Sequence, residues 1–383
     1  MFTRQSLMRF ALVLAFASSV ACATKAEGPT SPLVTFARPA GDVVAPASTS
    51  GAASGASKVA ADRIIGSGVV LGNLVVYPIT SKSQVDVGPL VLLDDALAKG
   101  DAEVRETDAS GSVNTLVIEN KAPTPLFVLA GTIVKGGKQD RQIGQDFIIG
   151  AKDTTRVDAF CVEHGRWSAS RDGQATGNVF RTSDTITTSK VRAAGQYKKD
   201  QGEVWSKVTE ANQVNKKSSA SDTYLATVDD AEVTKQRNEL AGRITAALDG
   251  VGSKDDVVGI AYAIDGEPKG ARWFTHHKVF TMVEKKLAAG IALEAISAKT
   301  EAEARGEKPA TKAAPTAQAV DTFIREVETQ TVKERRDTAG QNANDYRESA
   351  KGYGSSTMMK AAPKTAVPVA PATKPVSVDV LAK

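Results

Sequence analysis

The sequence predicts an α+β protein, with an antiparallel, β-rich N-terminal lobe (a sheet or sandwich) followed by an α+β C-terminal lobe. Three observations carry this. Between Ile64 and Phe160, short runs rich in Val, Ile and Leu are separated by turn residues at spacings too close for helical crossovers. After Gly202 the apolar residues recur at the three-and-four spacing of amphipathic helices. Between two of those helices, Val257–Ala263 and Gly270–Phe274 flank Asp265-Gly266, a strong hairpin signal.

Taken in order, the chain starts with Arg4 and Arg9, then the apolar run Phe10–Val20 and the small residues Ala21, Cys22 and Ala23. This is the pattern of a secretory signal peptide over residues 1–22, with an apolar run too short to span a bilayer. Ser19-Val20-Ala21-Cys22 resembles a lipobox, with Ser19 where Leu is usual, and makes Cys22 the candidate lipidation site. Ala21-Cys22-Ala23 also satisfies the pattern for ordinary secretion. Residues 23–60 are dominated by Ala, Ser, Thr, Gly and Pro and are expected to be a disordered tether, which favours an anchored lipoprotein. The expected location is the cell envelope (outer membrane or periplasm, held by a lipid anchor) or the secreted fraction.

Residues 61–167 form the expected β-rich lobe. Val69-Val70-Leu71 and Leu74–Tyr77 are strands divided by the turn pair Gly72-Asn73. Val91–Lys99 reads as a short helix led by Asp94-Asp95 and stopped by Gly100. In Val113–Glu119 the unbroken run Leu116-Val117-Ile118 predicts a strand buried on both faces. Asn120–Pro125 is a turn, followed by strands at Leu126–Leu129, Phe147–Ile149 and Val157–Val162. Residues 168–200 are rich in Ser, Thr, Gly and basic residues without periodicity, and are expected to be a flexible basic loop.

Residues 201–360 form the second lobe. Helices are expected over Gly202–Val214, Ala231–Leu248, Val279–Ile296 and Ala317–Arg336, with an Ala/Lys/Pro insertion near 300–316. Gly352–Met359 reads as a final strand, and residues 361–383 as a disordered low-complexity tail.

Composition limits the function. The 383 residues carry 48 basic and 44 acidic side chains, a net charge of +4, and this near balance does not point to nucleic acid. Of the two cysteines, Cys22 is lipidated or removed in this reading, so Cys161 stands alone and no intrachain disulfide forms. Three histidines, two of them adjacent, without HExxH or CxxC spacing, give no metal site, and no cofactor is implied. Neither a Gly-x-Ser-x-Gly elbow nor a dinucleotide fingerprint is present.

The chemistry concentrates between Phe127 and Trp167. Gly136-Gly137-Lys138-Gln139-Asp140-Arg141 joins two glycines to basic side chains, a combination that can hold an anion; the plainer reading is a hairpin turn with solvated or paired charges. Cys161-Val162-Glu163-His164-Gly165-Arg166-Trp167 follows. In a strand, Cys161 and Glu163 project to one face and His164 to the other, so a Cys–His dyad of neighbours is excluded. Any partner would be His276 or His277. The plainer reading packs Cys161 in the sheet, pairs Glu163 with Arg166 or Arg141, and lets Trp167 cover the edge.

Together these segments resemble the ARG and Rhodanese-Phosphatase-superfamily-associated domain, a bacterial domain of undetermined function. Further matching pieces are Asn73–Pro78, Leu93–Gly100, Ile118–Lys121 with Pro125-Leu126, and Gln201–Trp205. The resemblance covers about residues 61–360; the family usually has Gly-Glu where this chain has Gly131-Thr132, so one carboxylate is missing. The leading expectation is a binding module for an anionic ligand or envelope partner, contacting it through Lys138, Gln139, Arg141, Glu163, His164, Arg166 and Trp167. The alternatives are a hydrolase or thiol-dependent enzyme using Cys161 or Glu163 with Arg141 and Arg166, and a purely structural envelope lipoprotein.

Overall fold

The computed structural model describes residues 58–108, 111–171, 174–177, 180–307, 313–360 and 373–383. The signal peptide, Cys22 and the tether up to residue 57 lie outside the described residues. The tether ends earlier than its composition suggests. Val59 and Ala60 are buried, and the Val59 carbonyl accepts the indole N–H of Trp273, so the folded unit already includes them.

The first strands are β1 (Ile64–Ile65), β2 (Val69–Leu71), β3 (Leu74–Thr80) and β4 (Val91–Leu92), followed by helix α1 (Leu93–Lys99). Gly72, at φ +77°, makes the β2–β3 turn, and Gly100 ends α1 in the left-handed conformation. Next come β5 (Ala102–Glu106), β6 (Thr115–Asn120), β7 (Leu126–Val128), β8 (Thr132–Lys135), β9 (Arg141–Ile143), β10 (Phe147–Ile149) and β11 (Thr154–Cys161). Leu116, Val117 and Ile118 are all buried, as their unbroken apolar run requires.

The segment expected to be a flexible loop is built into the fold. It holds β12 (Ser170–Arg171), β13 (Gln174–Ala175), β14 (Arg181–Ile186) and α2 (Ser189–Gln196). β14 completes a sheet on β8, and α2 is buried from Val191 to Gln196. Its polar composition hid this because Arg192 and Gln196 meet their partners inside the protein.

Helices α3 (Gln201–Val214), α4 (Leu225–Val228) and α5 (Ala231–Asp249) follow, then the hairpin β15 (Val257–Ile264) and β16 (Glu267–Phe274). Asp265 and Gly266 both take positive φ, the geometry a tight two-residue hairpin demands. Last are α6 (His277–Ala304), α7 (Ala317–Thr329), β17 (Lys333–Ala339), β18 (Asn342–Glu348), β19 (Gly352–Lys360) and β20 (Thr373–Ala382). Residues 300–304 of the expected insertion belong to α6, and α7 ends before β17 replaces the helix expected as far as Arg336.

Two of these elements correct the sequence reading. β19 is not the final strand, and the expected tail contains β20, hydrogen-bonded between β16 and β19. The two-lobe division at 168–200 is also crossed by the largest sheet. Its nine strands run β1-β3-β15-β16-β20-β19-β18-β17, with β2 also on β3, and so combine both ends of the described chain. Leu74, Val76 and Ile260 pack on one face against α5 and α6; Val75, Tyr77 and Val378 pack on the other against Val320, Ile324 and Val327 of α7. Each such buried side chain contributes about 1.5–3 kcal/mol. A six-stranded sheet, β14-β8-β9-β11-β6-β5, and the short sheet β10-β7-β4 share a further core. Among the described residues all strand pairings are antiparallel except β4 with β7, so the α+β class stands.

Candidate functional site

The segment from Gly136 to Trp167 folds into a buried ion-pair knot. β11 ends at Cys161, opposite Arg141 of β9, and the chain then turns so that Glu163 points inward. Glu163 is fully buried and receives Arg166 on both oxygens, with Nη2 at 2.7 Å and Nε at 3.0 Å. The backbone N–H of Asp140 and the hydroxyl of Ser221 also donate to this carboxylate. Arg166 further donates to the carbonyls of Gly137 and Ser168 and to Thr176 Oγ1. Asp140 accepts from the Gly136 N–H and the Thr223 hydroxyl. A side chain at Gly137 would meet the Phe180 ring at 2.3 Å, so the positive-φ glycine here also provides close approach.

Arg141 sits beside this knot, with no exposed surface. It donates to the Gln139 and Ser112 carbonyls, and Nη2 lies 3.6 Å from Glu106 Oε1. Cys161 is buried, with its thiol 3.3 Å from the Val113 carbonyl. Burial, only partly opposed by Arg141, pushes the thiol up to about 11. A nucleophilic cysteine needs the thiolate, which this environment suppresses. His276 caps α6 and His277 Nδ1 is 2.7 Å from the Val257 carbonyl, so both rings are engaged away from Cys161.

Of the residues singled out from sequence, Gln139, Arg141, Cys161, Glu163 and Arg166 are therefore interior. Lys138 is half-buried, and His164 and Trp167 are exposed. Trp167 keeps 45 % of its surface, with Lys138 Nζ 5.6 Å and the Arg141 guanidinium 5.5 Å from its ring centroid. His164 instead packs on Trp205, ring centroids 4.5 Å apart. Sequence reasoning missed Ser221, Thr223 and Glu106 as members of the knot. Gln201 and Trp205 carried a signal, since both belong to a stretch that matches the family. Gln201 clamps the Cys161 backbone through two hydrogen bonds, and Trp205 donates to the Glu163 carbonyl.

A second polar constellation, invisible in the sequence, lies between the sheets. Asp146 accepts from the Ala130 N–H, the Ser377 and Thr357 hydroxyls and Arg272, while its carbonyl accepts from Asn342 and Asn344. Beside it, Tyr197 donates to Asp379, and Arg192 Nη1 lies 3.3 Å from the same carboxylate. Among the described residues, no group of three or more His, Cys, Asp or Glu side chains has the arrangement of a metal site.

The family model for the ARG and Rhodanese-Phosphatase-superfamily-associated Protein domain matches residues 63–367. No curated protein and no solved structure matches the chain. The matched stretch contains both the knot and most of the nine-stranded sheet, and this chain belongs to the ARG and Rhodanese-Phosphatase-superfamily-associated Protein domain family, whose function is undetermined.

Proposed function

We propose that this chain is an exported cell-envelope protein acting as a binding module for an anionic ligand or an acidic segment of an envelope partner. One observation carries the reading: Trp167 stays nearly half exposed above a knot whose Glu163–Arg166 pair is buried. An indole fixed on a rigid base offers apolar surface to a ligand, and Lys138, over its ring, adds positive charge beside it. The basic start, apolar run and Cys22 of the N-terminus support export with a lipid anchor. No helix among the described residues is long and apolar enough to cross a membrane.

A glutamate-rich peptide titrated into the protein at low salt tests the site by tryptophan fluorescence. Trp273 is fully buried and the indole N–H of Trp205 is bonded to Glu163, so Trp167 dominates the response. Binding is expected in the parent chain, weaker in Lys138→Ala and lost in Trp167→Leu when followed by calorimetry. Equal affinity in all three would refute the assignment. Export is tested separately: Cys22→Ser should abolish incorporation of labelled fatty acid, and unchanged labelling would remove the anchor from the proposal.

A further inference from the structure

A second recess lies away from Trp167, where α2, α3 and α6 meet the β15–β16 hairpin. It encloses about 250 Å³. Its origin is readable in the helix stripes. α3 turns Lys207, Glu210, Ala211 and Val214 toward it, and α6 turns Glu294, Ser297, Ala298 and Glu301, each at the spacing of one helical face. The space exists because Ala211, Ser297 and Ala298 are small.

The charges around this recess are mixed. Lys190 and Lys207 both reach Glu210 at 2.7 Å, and Arg305 pairs with Glu301 at 2.9 Å. Deeper in, Glu294 accepts the Ser189 hydroxyl at 2.6 Å and its N–H at 3.0 Å. Lys190 feels several carboxylates at once. Burial works against its charge, yet Glu210, Glu301 and Glu294 outweigh it and hold the ammonium above its usual range.

These rim pairs are substantially exposed, so each is worth little and can exchange partners at small cost. A pure anion would take Lys190 or Arg305 and leave Glu210 or Glu301 facing it. A pure cation would do the reverse. A ligand carrying both charges replaces both partners together, and the Ala211 and Ala298 walls accept its apolar middle. The volume lies below the roughly 300–1,000 Å³ of sites for drug-sized ligands, so the occupant is smaller. We propose that this cleft binds a short zwitterionic peptide of dipeptide size that bridges the two rim pairs, its carboxylate between Lys190 and Arg305 and its ammonium between Glu210 and Glu301. This site is independent of the Trp167 reading.

Calorimetric titration of the full chain with alanyl-alanine, its N-acetyl form and its C-terminal amide provides the test. The dipeptide should bind, and each capped form should bind at least about tenfold more weakly, because each leaves one set of cleft charges facing an uncompensated partner. Ala298→Trp, which fills the cleft, should abolish binding with the melting temperature retained; Lys190→Gln provides a milder variant if the tryptophan disturbs folding. Trp167→Leu should bind the dipeptide as the parent does, so the two sites can fail separately. Equal binding of the N-acetyl form would overturn the zwitterion assignment. Unchanged binding in both cleft variants, or none in the parent chain at millimolar dipeptide, would overturn the site.

Discussion

The knot around Glu163 and the polar layer around Asp146 use the same residue types to different ends. In the knot, Arg166 reaches Glu163 three residues away and Gly137 twenty-nine away, and its guanidinium is fully employed. In the layer, Asp146 receives Arg272 from 126 residues away and Ser377 from 231. There saturation is poorer: Nε and Nη1 of both Arg192 and Arg272 are buried without a hydrogen-bond partner among the described residues. The comparison teaches that a concentration of chemical side chains in sequence need not be a reactive site. The knot is built on a local, fully bonded Glu163–Arg166 pair, the condition in which charges rigidify a scaffold. The layer is assembled from distant strands and joins the sheets.

The largest test acts on the layer. Ending the chain at Lys360 removes β20, and with it Ser377 and Asp379, from the interior of the nine-stranded sheet. Cooperative unfolding should be lost, as read by thermal denaturation; a native-like transition would show that the layer is dispensable. Next comes Glu163→Ala, which leaves Arg166 buried without its carboxylate and should cost about 3–5 kcal/mol in denaturant unfolding. A loss near zero would mean that the knot is not a scaffold.

Cys161→Ser should cost about 1–3 kcal/mol, since it places a hydroxyl in a packed sheet position. The same thiol makes a pH prediction. Its folded pKa is raised from 9.0 to about 11, so between those values the unfolded chain loses the proton while the native state retains it. The contribution of this group to stability is therefore present below pH 9 and declines as pH rises toward 11. Parallel pH–stability curves for the parent and the serine variant over that window would contradict it. The smallest effect is expected at the surface: Trp167→Leu should change stability by no more than about 0.5 kcal/mol. A larger loss would make Trp167 part of the knot rather than the face resting on it.

Much of the candidate site is legible in the sequence. The pairing of Glu163 with Arg166 and the burial of Cys161 in the sheet both follow from short-range alternation and charge proximity. Glu106, at the end of β5, and Ser221 and Thr223, in a loop, were not readable, because a lone polar residue carries no mark of which carboxylate or guanidinium it will meet. β17 was hidden for a related reason. Lys333-Glu334-Arg335-Arg336 lacks apolar alternation because an edge strand is protected by charge, not by burial on both faces.

By itself the sequence determined the α+β class, the Asp265-Gly266 hairpin, the Gly100 stop after α1 and the amphipathic stripes of α5 and α6. These depend on backbone conformations and periodicities within a few residues. Only the tertiary structure decided that residues 373–382 form an inner strand, that polar α2 is buried, and that Asp146 draws Ser377 and Arg272 to one point. The physical reason is the same in each case. The β16–β20 ladder, the Arg192–Asp379 pair and the Asp146 contacts all join residues more than a hundred positions apart, and local composition holds no record of where the chain will bring them.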